Sequence, residues 1–253
     1  MPYIDVHGVH TYYETEGEGE PLLLLHGGAA PIDFWGPQRP AFAAAYRLYL
    51  PERRAHGRTP DIDGPITYEV MADDTVAFME AMEIKNAHIV GWSDGGNIGM
   101  LMAVRRPDLV RTLVSIGGNY HFEGMPEEMR AVAANLTPET FMPALVDLYG
   151  QLSPDGAGHF GVVLKKVTAM WVSGPTLTPA DLAGIAAPTL VMVGDADMPT
   201  LEHTIALYRA IPSAQLCVVP GASHTVAMNK PELVNRIILD FLASPARSGE
   251  EHE

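Results

Sequence analysis

Cysteine, basic residues and long apolar runs are all scarce in this chain, and each shortage removes a class of protein. With Cys217 as the one cysteine among 253 residues, no internal disulfide can form. It lies in the apolar run from Leu216 to Val219, where it reads as a small hydrophobe rather than a reactive thiol. Lys and Arg number 16 against 31 Asp and Glu, a net charge of −15. A chain this acidic repels phosphate backbones and anionic lipid, which argues against nucleic acid and membrane surfaces as partners. No apolar run approaches the ~18 residues of a membrane-spanning helix. The segment Met1-Pro2-Tyr3-Ile4-Asp5 shows no basic stretch followed by an apolar one, so the expected location is cytoplasmic. What is present is a composition 47% apolar and 19% charged, which suits a globular protein with a large core. The expected partner is a small-molecule substrate, with no cofactor and no metal; nothing marks an oligomeric state.

Strand and helix patterns alternate along the chain. Tyr3 to Val6 and Val9 to Tyr13 read as a hairpin about His7-Gly8. Leu22 to Leu25 is apolar at every position, the mark of a central parallel strand covered on both faces. Arg47 to Leu50, Ala87 to Val90, Arg111 to Ile116, Thr189 to Val193 and Gln215 to Val219 read as further strands. Helices are expected over 67–83, 97–105, 201–210 and 231–242. The alternation breaks between Asn119 and Ala187, where helix starts appear at Pro126, at Thr137-Pro138-Glu139 and at Thr178-Pro179, with an apolar helical stretch from Val162 to Val172. The expected organisation is an α/β core over 1–118 and 188–243, a helical cap inserted over 119–187 and a flexible polar tail over 244–253. Its sheet should be mostly parallel, with helices on both faces.

The strongest chemical signal is Gly91-Trp92-Ser93-Asp94-Gly95, directly after a strand and before a helix. A serine on so tight a turn is lifted above the sheet, at the positive end of the following helix, where a developing oxyanion is stabilised. A hydroxyl needs a base. Of ten histidines, His224 in Gly221-Ala222-Ser223-His224 follows the last strand at the same sheet edge as Ser93. His26, His56 and His88 read as structural, whereas His121, at the start of the expected cap, could face a pocket. An acid to hold the imidazolium is due after the preceding strand, where Gly194-Asp195-Ala196-Asp197 offers two carboxylates. The turn after Ile116, Gly117-Gly118-Asn119-Tyr120, offers none. For an oxyanion hole the backbone N–H groups of Gly28, in His26-Gly27-Gly28, and of Asp94 are favoured.

These segments, with Arg54-Ala55-His56-Gly57-Arg58 between them, fall in the order of the α/β-hydrolase superfamily, which the chain resembles over nearly its whole length outside the cap. In that family the acid that partners the histidine sits three residues after the glycine, so the resemblance selects Asp197. Ala55 stands where the family usually has glycine. The stretch Val90-Gly91-Trp92-Ser93-Asp94-Gly95-Gly96 also resembles the nucleophile elbow of the valacyclovir-hydrolase (biphenyl-hydrolase-like) group. That group cleaves amino-acid esters and holds the substrate α-amino group on the carboxylate after the nucleophile. The resemblance thus implies a substrate-binding role for Asp94, with Trp92 and His121 as further candidates. A helix-capping role for the Asp94 side chain remains the alternative.

The expected function is hydrolysis of a small ester, thioester, lactone or amide, including an amino-acid ester, through a Ser93 acyl-enzyme. Cofactor-independent carbon–carbon hydrolysis, perhydrolysis or oxygenation on the same scaffold is a second class. A triad-retaining small-molecule receptor is a third.

Overall fold

The computed structural model describes residues 2–244, so the expected tail lies, apart from Ser244, outside the described residues. Among the described residues, eight strands form one sheet: β1 (Tyr3–Val6), β2 (Val9–Glu16), β3 (Pro21–Leu25), β4 (Arg47–Pro51), β5 (Ala87–Trp92), β6 (Val110–Ile116), β7 (Thr189–Ala196) and β8 (Ala214–Ser223). Their order is β1-β2-β4-β3-β5-β6-β7-β8, antiparallel at the β1–β2 and β2–β4 pairs and parallel from β4 onward. The helices of the same residues are α1 (Arg39–Ala43), α2 (Tyr68–Ala81), α3 (Asp94–Arg105), α4 (Glu127–Ala133), α5 (Pro143–Leu152), α6 (Phe160–Ser173), α7 (Pro179–Ala183), α8 (Leu201–Ala210), α9 (Val226–Asn229) and α10 (Pro231–Ala243).

The all-apolar β3 shows why the sheet is covered on both sides. Its leucines alternate, Leu23 and Leu25 entering one core with Met71, Phe78 and Ile98 of α2 and α3. Leu22 and Leu24 enter the other core with Phe42, Ile238 and Phe241 of α1 and α10. All four are fully buried, and at about 1.5–3 kcal/mol for each such side chain this strand anchors both layers. β5 lies beside β3 in parallel register, so the site carried by its end stands at the middle of the sheet. No described helix is long and apolar enough to cross a membrane.

Between β6 and β7 the chain makes α4 to α7 and adds no strand to the sheet; an isolated bridge joins His121 to Thr176. The expected helix start at Thr137 is not one. Thr137 and Thr140 close a single turn, and α5 begins only at Pro143, after Met142 in extended conformation. The physical reason is Pro143, which lacks the N–H a helix from Thr137 would need and holds Met142 out of the helical region. At Thr178 the capping signal does hold: its hydroxyl accepts from Asp181 N while the Asp181 carboxylate accepts from Thr178 N.

Candidate active site

Ser93 is the one residue between β5 and α3, and it takes φ +55° and ψ −119°. Non-glycine residues enter this region at a cost of about 1–3 kcal/mol. The surroundings leave no alternative: Ser93 N donates to Ile116 O at 2.7 Å, and Ser93 O accepts from Gly96 N and Asn97 N. A Cβ on Gly91 would overlap the backbone of Gly95, and one on Gly95 would overlap the carbonyl of Leu25. The flanking glycines are therefore a steric condition for bringing β3, β5 and α3 into backbone contact at the elbow.

His224 follows β8 and reaches Ser93 across the sheet edge, with Nε2 at 2.9 Å from Oγ. Its Nδ1 lies 2.6 Å from Asp197 Oδ1. The Asp197 carboxylate is fully buried and is held by Met198 N on Oδ1 and Gly194 N on Oδ2. A carboxylate facing Nδ1 places the ring proton there, which leaves the Nε2 lone pair directed at the serine hydroxyl. The other carboxylate, Asp195, turns away and accepts from Ala222 N; its backbone partners Gly221 and Ala222 lower its pKa. Gly117, at φ +61°, makes room for the pair: a Cβ there would come within 3.0 Å of His224 Nδ1 and 3.2 Å of Asp197 Oδ2. The turn that lacked a carboxylate thus supplies space instead.

The backbone N–H groups of Gly28 and Asp94 donate to no acceptor among the described residues. The Asp94 side chain does not cap α3. It is buried, and it accepts from Tyr68 Oη at 2.7 Å on Oδ1 and from Trp171 Nε1 at 2.8 Å on Oδ2. A Cβ on Gly28 would overlap this carboxylate and lie 2.7 Å from Trp171 Cζ2. Gly28, Asp94 and the α6 indole therefore converge beside Ser93.

Trp92 does not join them. It donates from Nε1 to His224 O at 2.8 Å and stacks on Phe34, so it braces the histidine loop. His121 accepts from Glu123 N and closes a turn of the chain after β6. His26, His56 and His88 are buried and hydrogen-bonded, as structural histidines should be. Sequence reasoning missed Arg53 and Tyr68, which with Trp171 are the three long polar or aromatic side chains around Asp94. Only Arg53 carried a signal, as a second arginine beside Arg54 in a segment the fold buries.

An open parallel sheet with a serine elbow, a histidine after the last strand and a buried aspartate between them defines an α/β-hydrolase. The Alpha/beta hydrolase family profile matches residues 22–237, and the chain belongs to that family and is an enzyme of its class. It is 28% identical to the putative carbamate hydrolase RutD of Azorhizobium caulinodans, over 95% of this chain and 98% of that one. It is 27% identical to the serine hydrolase BPHL of Mus musculus, over 94% of this chain and 85% of that one. Among solved structures, a point mutant of a meta-cleavage product hydrolase (CumD) superposes with a TM-score of 0.80 at 24% identity, covering 95% and 97% of the two chains, a likeness of fold.

Proposed function

We propose that this hydrolase cleaves a small ester, thioester, lactone or amide through an acyl-enzyme on Ser93. The observation that carries the reading is the unbroken chain from Asp197 through His224 to Ser93, at 2.6 and 2.9 Å. In the first step Ser93 Oγ attacks the acyl carbon while its proton passes to His224 Nε2, and the carbonyl oxygen becomes an oxyanion between the N–H groups of Gly28 and Asp94. Collapse of the intermediate breaks the bond to the leaving group, which takes the proton from His224. Water, deprotonated by the same nitrogen, then attacks the acyl-enzyme and releases the acid and Ser93. In this reading residues 119–187 act as a cap on the core formed by 1–118 and 188–243, with Trp171 as their contact beside the oxyanion donors.

The test is turnover of an activated acyl ester with burst kinetics. Ser93→Ala and His224→Ala should each lower kcat by about 10⁴-fold or more, and the double variant should be little worse, because the two groups act together. Substantial turnover by Ser93→Ala removes the acyl-enzyme mechanism.

A narrower reading concerns the substrate. The Asp94 carboxylate, uncommitted to helix capping and in contact with Gly28 and Trp171, favours an ester bearing an amino group near the acyl carbon. Arg53 contributes a second buried charge that interacts with Asp94, so the preference should be near tenfold rather than a thousandfold.

A further inference from the structure

We propose that Arg53 is a positioning residue for the oxyanion hole, acting through the carbonyl groups of His26 and Gly27. The inference rests on the Ser93 acyl-enzyme reading. Arg53 follows β4 and is buried. Its Nη1 donates to His26 O, its Nη2 donates to Gly27 O at 3.0 Å, and its backbone N donates to His26 Nε2 at 3.1 Å. Because Nε2 accepts, the neutral ring of His26 carries its proton on Nδ1 and donates it to Gly27 O at 2.8 Å. Burial, and after it the charge of Arg53, holds the His26 pKa well below its ordinary value, which keeps the ring neutral. The Gly27 carbonyl is thus held by two donors from one side.

A trans peptide is planar, so its N–H points opposite to its C=O. With the Gly27 carbonyl fastened toward Arg53, the Gly28 N–H faces away from it, and that N–H is one of the two groups with no acceptor among the described residues. The loop cannot secure this orientation with its own side chains. Both residues of the peptide are glycine, the most freely rotating pair available, and a Cβ on Gly28 would overlap Asp94. An external fork is what the geometry calls for, and a guanidinium supplies one of fixed shape.

The placement is costly. Burial lowers the Arg53 pKa to about 10, with Asp94 and then Tyr68 opposing the shift, so the group stays charged at neutral pH. Its Nε has no partner among the described residues. A buried charge with one unpaired donor is a costly way to fill space, and the fork on the two carbonyls is the feature that accounts for it.

The experiment compares wild type with Arg53→Lys and Arg53→Met on an activated acyl ester. It also measures affinity for a trifluoromethyl ketone, whose serine adduct bears an oxyanion, and circular dichroism for the fold. Lysine is shorter and lacks the planar fork that meets the two carbonyls from separate nitrogens, so Arg53→Lys should lose about 10- to 100-fold in kcat with KM within about threefold. Trifluoromethyl-ketone affinity should fall in parallel. Should Arg53→Met fail to fold, Arg53→Lys carries the test alone. Unchanged kcat and ketone affinity in the folded variants overturn the proposal, as does a rise in KM without loss of ketone affinity, the signature of a loosened fold. Covalent labelling of wild type by a fluorophosphonate separates the two levels: no labelling at Ser93 overturns the mechanism and this inference together. Normal labelling with unimpaired Arg53 variants overturns the inference alone.

Discussion

At the carboxyl edge of the sheet, Ser93, Asp197 and His224 stand on turns whose backbone contacts admit one arrangement. Across from them, in residues 119–187, Trp171, Phe141, Tyr149 and Phe160 are set by the packing of aromatic rings on one another. The edge is built from positions where glycine is compulsory, such as Gly91, Gly95 and Gly194, each with carbonyl groups where a Cβ would go. The helical segment has few such constraints; α4 buries no residue at all. In the reading proposed above, backbone-fixed placement at the edge suits bond-making groups, and side-chain packing in 119–187 suits a surface that fits a substrate.

The sharpest way to test this division is at the two neighbouring aspartates. Asp197→Asn removes the partner of the imidazolium and the tautomer it selects, and should lower kcat by about 10³- to 10⁴-fold with the fold intact. Asp195→Asn touches only contacts with the Gly221 and Ala222 backbone, which the amide oxygen can still accept, and kcat should stay within about threefold. Steady-state kinetics on both variants decides it. Equal losses would mean that the turn at the end of β7, rather than the individual carboxylate, sets the chemistry.

The same division explains what could be read from the chain. β3, β5, the elbow and the order serine, aspartate, histidine were legible, because a four-leucine run, a Gly-x-Ser-x-Gly turn and two post-strand loops are local patterns with local causes. α8 likewise begins and ends where its periodicity predicts. The resemblance to a family was needed to choose Asp197 over Asp195, since both follow the strand expected from Thr189 to Val193 and only tertiary packing buries the side chain of one of them. The meeting of Tyr68, Arg53 and Trp171 at Asp94 was not legible. They lie 26, 41 and 77 positions from Asp94 along the chain and meet it only through folding. Thr137 misled because its capping signal is local, whereas the proline that stops the helix acts six residues later.

Acid should strain both regions through their histidines. At the sheet edge, burial and then the charge of Arg53 bring the His56 pKa down to about 3. Near the helical segment, burial and then the charge of His121 bring His203, stacked on Tyr120, down to about 4. Both folded pKa values lie below the ordinary 6.5, so between about pH 3 and 6.5 the unfolded chain binds more protons and stability rises with pH. The stability these groups confer is present above pH 6.5 and is lost as pH falls toward their folded values. His56 alone should cost about 2 kcal/mol at pH 5, and His203 adds to it in the same direction. Buried His26 adds in the same direction, whereas Glu52, raised to about 7 by burial, opposes it. Urea midpoints at pH 7 and pH 5 are therefore compared between wild type and His56→Gln. The wild-type loss should be the larger, and equal losses would mean that His56 is not neutral when folded.

The smallest expected effect falls where the two regions touch, at Asp94 and Trp171, and there the two sides should pull specificity in opposite directions. Asp94→Asn retains the backbone N–H, so turnover of a neutral ester should stay within about threefold of wild type. Its amide can present Oδ1 to the Trp171 N–H, which can only donate, and Nδ2 to the Tyr68 oxygen, which can accept once the hydroxyl turns. The contacts survive but the charge does not, and the roughly tenfold preference for an α-amino ester should disappear. Trp171→Phe keeps an aromatic ring, though a smaller one, and removes the N–H, which frees Asp94 Oδ2 for the substrate. The preference for the amino ester should then rise by about three- to tenfold, chiefly through KM, while the neutral ester changes little. The measurement is the ratio of kcat/KM for an amino ester and its uncharged analogue in the three proteins. A ratio that moves the same way in both variants would make Asp94 a strut between the sheet edge and α6, with no part in choosing the substrate.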